Sequence, residues 1–155
     1  MQKKFKDSFM EEALVEARLA YSKGEVPIGA VLVHQGEIIA RAHNRVEELQ
    51  DATAHAEMLC LQSAAKKLGN WRLVDTILYC TLEPCAMCAG AMILSRIQKL
   101  VWAAPDLRQG ADGSFVSFLQ ASHPIHQIEV ELGPYREESA ALMRQFFKGR
   151  RNLCQ

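Results

Sequence analysis

The sequence has no excess of charge of either sign, because its 155 residues include 18 Lys and Arg against 18 Asp and Glu. This balance excludes a chain drawn to nucleic acid or to a membrane by its overall charge, so any contact with a polyanion must come from local clustering. The sequence also lacks an apolar run of membrane-spanning length. Its basic start, MQKKFKDSFMEE, is not followed by a continuous apolar stretch, so we expect no signal peptide and a cytoplasmic protein without a membrane partner.

The composition also excludes disorder and a disulfide framework. Hydrophobic residues make up 49% of the chain and charged residues 23%, which is typical of a globular protein. A chain of this length predicts one domain over residues 1–155. The five cysteines are an odd number, and two of them are spaced as Cys-Ala-Met-Cys. That spacing is typical of metal ligation rather than of disulfides, which again favours a reducing cytoplasm.

Hydrophobic periodicity predicts alternating helices and strands. Apolar residues recur at helical spacing in several segments, and Gln35-Gly36 suits a tight hairpin turn between two strands. The expected helices cover 8–23, 55–68, 85–96, 113–121 and 137–148, and the expected strands cover 30–33, 37–40, 76–81, 99–104 and 128–132. Such alternation indicates an α/β protein with one sheet and helices on both of its faces.

The connection between the last two strands predicts their relative direction. Antiparallel neighbours need only a short turn, whereas parallel strands need a crossover of about a dozen residues or more. The long gap between Ala104 and Ile128 therefore indicates parallel strands, with a short crossover helix at 113–121. The residues from Arg41 to Thr53 are polar and lack periodicity, so we expect irregular structure there.

Three residues form a candidate metal site. Cys85 and Cys88 stand three positions apart at the start of a predicted helix, where both sulfurs lie on one side. The positive end of the helix favours their thiolate form, which binds zinc. His55 supplies a nitrogen ligand, and three protein ligands leave one tetrahedral position for water, as in catalytic zinc sites. The alternative is a structural zinc site that a fourth residue closes.

Glu57 is the candidate catalytic residue beside that site. It follows His55 by two positions, and side chains at this spacing share a side in extended backbone rather than within a helix. We therefore expect His55 at the very start of its helix. A carboxylate next to metal-activated water can accept its proton and deliver it to a substrate. Deamination of an aromatic amidine needs both the activated water and such a proton shuttle.

The pattern His-x-Glu followed by Pro-Cys-x-x-Cys is the signature of zinc-dependent nucleobase deaminases. Over nearly its whole length the sequence resembles one branch of the cytidine and deoxycytidylate deaminase superfamily, the bacterial tRNA-specific adenosine deaminases. The matching segments are EVPIGAVLV at 25–33, HNR at 43–45, DATAHAEM at 51–58, LYCTLEPCAMCAGAMILSRI at 78–97 and FFKGRR at 146–151. The cysteine motif alone marks the superfamily, whereas the longer run TLEPCAMCAGAM narrows the resemblance to this branch.

The resemblance implies a fold, a reaction and an assembly. The implied fold has three α/β/α layers around a mixed five-stranded sheet, as in cytidine deaminases. The implied reaction is hydrolytic conversion of the wobble adenosine in a tRNA anticodon to inosine, with one zinc ion per subunit. The implied assembly is a homodimer that binds the anticodon arm of the tRNA.

Further site residues follow from the resemblance, position by position. Asn44 matches the residue that holds the target base and sugar, Asp106 matches an aspartate near the ribose, and Glu83 supports the site from behind. The backbone amide of Ala56, with that of Cys85, is a candidate for binding the oxyanion. From the residues alone, an Asn at position 44 is more often a loop residue that hydrogen-bonds its own backbone, and Asp106 after Pro105 could equally be a turn former.

Two residues in the loop that flanks the substrate depart from the family pattern. Pro105 stands where a basic residue is common, and Asp112 interrupts a stretch of Gly and Ala. Both departures concern the selectivity of the site for its substrate, and neither touches the residues of the metal motif.

The end of the chain carries a cluster of basic residues, and no acidic residue follows Glu138. Its members are Arg144, Lys148, Arg150 and Arg151. Cations at a helix C-terminus complement the helix dipole, which is the simpler explanation. The alternative, which the resemblance favours, is contact with phosphates of the anticodon arm while loop bases enter pockets.

Two other functions remain open from the sequence. A deaminase of free bases or nucleotides, acting on cytosine, cytidylate or guanine, would share the same metal motif. The basic chain end and Asn44 favour RNA over such small molecules. A catalytically silent RNA-binding subunit is the second alternative, but such a protein would not need Glu57.

Overall fold

A computed structural model describes residues 2–153, with side chains from residue 7 onward. The elements, in chain order, are α1 (Gln2–Ser22), β1 (Gly29–His34), β2 (Glu37–His43), α2 (Val46–Leu49), α3 (Ala56–Leu68), β3 (Thr76–Leu82), α4 (Ala86–Leu94), β4 (Lys99–Ala104), β5 (Glu129–Leu132) and α5 (Arg136–Leu153). Within the described residues, no helix combines the length and the apolar character that crossing a membrane requires.

The five strands form one mixed sheet in the order β2-β1-β3-β4-β5. Strand β1 pairs antiparallel with β2 and with β3, whereas β3, β4 and β5 run parallel. The β1–β2 hairpin turns through Gln35 and Gly36, which both have positive φ, as a tight two-residue turn requires. The predicted sheet and the parallel direction of its last two strands are confirmed.

Helices cover both faces of the sheet, which gives the three predicted layers. Alternate strand residues point to opposite faces, so each face has its own apolar core. On the α1 and α5 side the core contains Met10, Ala13, Val31, Val33, Tyr79, Val101 and Ala103. On the α3 and α4 side it includes Leu32, Ala64, Leu78, Cys80, Met92 and Leu100.

Two sequence predictions about the connections were wrong. The segment 113–121 is a series of turns rather than a crossover helix. Gly113 has φ of 109°, outside the helical region, and the Leu119 N–H donates to the Ala111 carbonyl instead of continuing a helix. In the segment 41–53, where irregular structure was expected, β2 continues to His43 and the short helix α2 follows.

The sheet brings distant segments to one edge. Strands β2, β3 and β4 run in the same direction, since β2 and β3 are both antiparallel to β1 and β4 is parallel to β3. The residues that follow these strands therefore meet at a common edge. Asn44 follows β2, Glu83 and Cys85 follow β3, and Asp106 follows β4.

Candidate metal centre and substrate cleft

Two helices begin at the candidate metal ligands. His55 is the N-cap of α3, with φ −74° and ψ 151°, and Cys85 is the N-cap of α4, with φ −74° and ψ 172°. Both residues are thus extended, as expected for His55, and Cys88 lies in the first turn of α4. Because each helix presents its positive end to the same point, the dipoles favour anionic ligands there.

The three ligand atoms are close enough to hold one ion. The Nδ1 atom of His55 lies 3.6 Å from the Sγ of Cys85 and 3.5 Å from the Sγ of Cys88, and all donor atoms fall within 4.8 Å of one another. Among the described residues, this group contains those three side chains and neither Cys60 nor Cys80. One nitrogen and two sulfurs suit zinc, and a set of three fits a catalytic site better than a closed structural one.

The two thiols of the metal group differ in their acidity. The hydrogen bond from Cys88 lowers the pKa of Cys85 to about 4, and the nearby His55 contributes in the same direction. The same bond, together with burial, raises the pKa of Cys88. The lowered pKa favours the thiolate form of Cys85, which is the form that binds a metal ion.

Glu57 is buried beside this group, in the first turn of α3. Its side chain is 4% exposed and is hydrogen-bonded to Cys88. Burial raises the pKa of this carboxyl group. Its Oε1 atom has no hydrogen-bond partner within the described part of the chain. A buried acid with a free oxygen and a raised pKa is typical of a group that exchanges protons.

Asn44 is likewise buried with an unsatisfied oxygen. Its side chain is 4% exposed and its Oδ1 finds no partner among residues 7–153. Its own N–H donates to the Ile28 carbonyl over 3.1 Å, which fixes the backbone between β2 and α2. An amide oxygen left unpaired in this way is available to a ligand.

Glu25 is a residue that the sequence reasoning missed. Its carboxylate is 2% exposed and accepts the N–H of Glu48 over 2.8 Å and that of Glu47 over 3.2 Å, so it caps α2 from outside the helix. No local pattern identifies this contact, because the partners lie 22 and 23 positions apart in the chain.

One cleft of about 590 Å³, which we call the metal cleft because His55 lines it, brings several of the predicted site residues together. Asn44, His55 and Asp106 line one part of it, and the C-terminal half of α5 closes another part with Phe146 and Arg150. Ala56, which is fully buried, is the first residue of α3. Its N–H therefore belongs to the first turn, where helix geometry leaves amides without helical partners.

Asp106 has a turn-forming role in addition to its place in the cleft. Its Oδ1 accepts the N–H of Arg108 over 3.0 Å and that of Gln109 over 3.2 Å. Asp112, which departs from the family pattern, accepts a hydrogen bond from the indole of Trp102 over 2.9 Å. Both carboxylates thus stabilise the loop after β4.

The four basic residues predicted from the chain end line a second, wider cleft of about 1170 Å³. Its lining includes Arg108, Arg144, Phe147, Lys148, Arg150 and Arg151. Arg108, Phe147 and Arg150 also line the first cleft, so the two clefts adjoin each other. We call this second cleft the basic groove. Arg108 was not predicted from the sequence because it lies outside the basic cluster.

Two of these basic side chains already have protein partners. Arg144 forms an ion pair with Glu137 at 2.6 Å. Arg150 donates to the Gly24 carbonyl and lies over the ring of Phe146, 5.0 Å from its centroid. Arg150 therefore fixes the end of α5 against the segment before β1, whereas Lys148 and Arg151 line only the basic groove.

The sequence of this chain is similar to that of known proteins over most of its length. Residues 3–104 match the family described as the cytidine and deoxycytidylate deaminase zinc-binding region. The tRNA-specific adenosine deaminase of Bacillus subtilis is 52% identical over 140 residues, which cover 90% of this chain and 87% of that protein. The chloroplastic tRNA(adenine(34)) deaminase of Arabidopsis thaliana is 50% identical over 156 residues, and the match spans only 12% of its length.

The fold of this chain is also similar to that of a solved structure. It comes from work on A-to-I editing by tRNA:A34 deaminases at the wobble position of transfer RNA. The TM-score is 0.84 at 48% identity, and the match covers 87% of this chain and 98% of the other. The mixed sheet with helices on both faces is thus the fold expected from the resemblance.

Proposed function

Because this chain belongs to the family of zinc-binding cytidine and deoxycytidylate deaminases, we propose that it deaminates the wobble adenosine of a tRNA anticodon to inosine. The tRNA-specific adenosine deaminases to which it is 52% identical over most of both chains support this substrate. The observation that carries the proposal is that the basic groove adjoins the metal cleft and shares Arg108, Phe147 and Arg150 with it. A deaminase of small molecules needs the metal cleft but has no use for a basic groove beside it.

The chain's own residues then have distinct roles. His55, Cys85 and Cys88 would hold the zinc ion, which would lower the pKa of a water molecule toward neutrality and so supply a nucleophile at working pH. Glu57 would take a proton from the attacking water and give it to N1 of the adenine ring as the water oxygen bonds to C6. It would then carry the second proton from the new C6 hydroxyl group to the amino group as the C6–N bond breaks, so that water and adenosine become inosine and ammonia.

The substrate is held by groups at the mouth of the cleft. The unpaired Oδ1 of Asn44 accepts hydrogen bonds from the target nucleoside, and the Ala56 amide donates to the oxygen that develops negative charge. Asp106 lies where it can receive the ribose, since it lines the cleft together with Asn44. Arg144, Lys148, Arg150 and Arg151 contact phosphates of the anticodon arm along the basic groove.

A comparison of substrates tests the proposed function. We expect inosine formation in an RNA hairpin that carries adenosine at the wobble position of a seven-base anticodon loop. Free adenosine, cytidine, cytosine, cytidylate and guanine serve as the alternative substrates, with ammonia release as the measurement. Activity on a free base or nucleotide alone would favour the runner-up function. RNA binding without any deamination would favour a silent subunit.

The basic groove gives a prediction for RNA affinity. Lys148→Ala combined with Arg151→Ala is expected to weaken hairpin binding and to reduce the salt slope of log Kd by about 0.7 for each lost phosphate contact. These two positions are preferable to Arg150, whose contact with the Gly24 carbonyl would be lost as well. Fluorescence anisotropy over a range of salt concentrations measures the slope. Arg18→Ala, an exposed cation on α1, is the matched control. Equal slopes in all three proteins would contradict the role.

A homodimer is the expected assembly, and one apolar surface supports it. Trp71 and Leu94 are 54% and 59% exposed, and they line a shallow depression with Met58, Leu61 and Ala91. Contiguous exposed apolar side chains of this size are typical of interaction surfaces. This face joins α3 and α4, the two helices that begin at the metal ligands.

Replacing an apolar residue of that face by a charge tests the assembly. Leu94→Asp is expected to convert a wild-type dimer into a monomer, because an unpaired charge would be buried at the interface. Light scattering after size-exclusion chromatography measures the mass. Leu19→Asp, on the opposite side of the sheet and 43% exposed, should remain dimeric. A dimeric Leu94→Asp variant would place the contact elsewhere.

The remaining expectations concern the domain and the compartment. All described strands share one sheet, which supports a single domain over residues 1–155. The described cysteines are free thiols, and two of them are metal ligands in the proposal, so a reducing cytoplasm suits the protein. Cell fractionation tests the compartment, which is worth measuring because one relative is chloroplastic.

A further inference from the structure

Glu83 connects the metal-binding segment to the loop that follows β4. It stands between the last residue of β3 and Pro84-Cys85, and its side chain is 2% exposed. Its Oε1 accepts the Asp106 N–H over 3.2 Å and also the hydroxyl of Ser114. Its Oε2 accepts the N–H of Asp112 over 2.9 Å and that of Ser114 over 3.3 Å.

Gly110 shows how closely the loop packs on this carboxylate. A Cβ atom at Gly110 would lie 2.3 Å from both Cδ and Oε2 of Glu83 and 2.5 Å from the Asp106 carbonyl oxygen. Neither the buried carboxylate nor the backbone could move aside at little cost. A glycine is thus required here by the close approach of the loop and the carboxylate.

Backbone contacts extend the same connection to the metal ligands. The Ala111 N–H donates to the Pro84 carbonyl over 2.8 Å, and Cys85 pairs with Gly110 in an isolated β-bridge. The loop from 105 to 114 is therefore attached to the segment that leads into Cys85. That loop carries Asp106, Arg108 and Gln109 into the lining of the metal cleft.

We propose that Glu83 is a positioning residue that holds the 105–114 loop in its binding conformation and thereby sets the affinity for the RNA substrate. This inference rests on the proposed function and adds to it a determinant of substrate binding. Glu83 acts through the loop and touches neither the substrate nor the metal ligands' donor atoms. We call its set of hydrogen bonds the Glu83 clamp.

The chemistry of the clamp requires a carboxylate. Both oxygens accept, and the groups that face them are three backbone N–H donors and one hydroxyl. Hydrogen bonds to an ionised acceptor are roughly twice as strong as neutral ones. In Glu83→Gln, an amide NH₂ group replaces one of the two acceptor oxygens. This group faces N–H donors, so the hydrogen bonds to that oxygen are lost.

Three variants weaken the Glu83 clamp in different ways. Glu83→Gln removes an acceptor, Gly110→Ala pushes the loop away without changing Glu83, and Ser114→Ala removes only the hydroxyl contact. We expect the KM for the hairpin RNA to rise about tenfold in the first two and less in the third, with kcat changed by less than about threefold. Combining Glu83→Gln with Gly110→Ala should raise KM no further than the stronger single change.

Two measurements separate positioning from a general loss of structure. Zinc content should stay at the wild-type stoichiometry in every variant. Amide hydrogen exchange of Asp106, Asp112 and Ser114 should accelerate in Glu83→Gln, while the amides of α3 remain protected. Glu16→Gln is the matched control, because Glu16 is also a buried carboxylate but hydrogen-bonds His43 outside this cleft; its KM should stay near that of the wild type.

The possible outcomes distinguish a failure of the Glu83 proposal from a failure of the proposed function. Unchanged hydrogen exchange in Glu83→Gln, or additive effects with Gly110→Ala, would overturn the clamp. Faster exchange with an unchanged KM, or a loss confined to kcat, would overturn its role in substrate binding. A wild-type enzyme without activity on the hairpin would instead overturn the proposed function, while hydrogen exchange would still decide whether Glu83 holds the loop.

Discussion

Glu57→Gln is expected to lower kcat for inosine formation by about 10²–10⁴-fold, the usual contribution of general acid–base catalysis. Glutamine keeps the size of the side chain and can still hydrogen-bond near Cys88, but it cannot accept and release a proton at working pH. Because Glu57 is not one of the three members of the metal group, zinc content should remain at the wild-type value. Single-turnover assays with the hairpin RNA measure the chemical step directly.

The same variant has an expected effect on stability. Glu57 buries an acidic group whose Oε1 lacks a hydrogen bond within residues 7–153, and burial raises its pKa. Burying an unsatisfied carboxyl group costs free energy, so its neutral amide analogue should unfold at an equal or higher denaturant concentration. If Glu57→Gln were more stable than the wild type but turned over more slowly, the carboxyl group of Glu57 would serve catalysis at a cost in folding stability.

Glu16→Gln provides a comparison for Glu57→Gln, since Glu16 is a second buried carboxyl group and does not belong to the metal group. Its turnover should be close to that of the wild type. Wild-type turnover in Glu57→Gln would refute the proton-shuttle role. A variant that had lost both zinc and turnover would show that Glu57 supports the metal instead.

Cys88→Ala is expected to lose bound zinc and to reduce deamination below detection. Two ligands, His55 and Cys85, would remain, and such a pair holds zinc far more weakly than the full set. Chelation of the wild-type protein should give the same inactive state, and added zinc should restore activity only to the chelated wild type. The melting temperature should fall in both cases, because an ion that binds only the folded state stabilises it.

Cys60→Ala is the control that separates the loss of a metal ligand from the loss of a buried cysteine in the core. Cys60 is also fully buried, lies on α3 five positions after His55, and is outside the metal group. Cys60 packs in the apolar core on the α3 and α4 side, and burial there raises the pKa of its thiol. This variant should keep one zinc ion per chain. Loss of zinc from Cys60→Ala, or retention by Cys88→Ala, would support the closed structural site instead.

Local patterns predicted most of the regular structure. The alternation of helices and strands, the Gln35-Gly36 turn and the parallel direction of β4 and β5 all depend on neighbouring residues or on the length of one connection. The prediction failed at 113–121 and at α2. In the first segment Glu83 accepts the N–H of Ser114, and the Ala111 carbonyl accepts the N–H of Leu119, which a helix would have bonded to the carbonyl four residues earlier. In the second, α2 is only four residues long and depends on Glu25 for its N-terminal amides.

The metal group was also predictable, because its geometry is mostly local. Cys85 and Cys88 lie on one side of α4 through the pitch of the helix, and His55 and Glu57 come together at the start of α3 because one residue there is extended. Donor type and spacing were sufficient to predict zinc and a proton shuttle before any tertiary contact was known.

The sequence by itself therefore determined the metal-binding donor set and the chemistry expected of it, whereas only the tertiary structure brought the other predicted residues into one cleft. Asn44, Asp106 and the end of α5 meet in one cleft because the sheet aligns strand ends that are far apart in the chain. The clamp of Glu83 and the cap of Glu25 likewise join partners more than 20 positions apart. Such contacts depend on the packing of whole elements, and that packing leaves no local periodicity in the sequence.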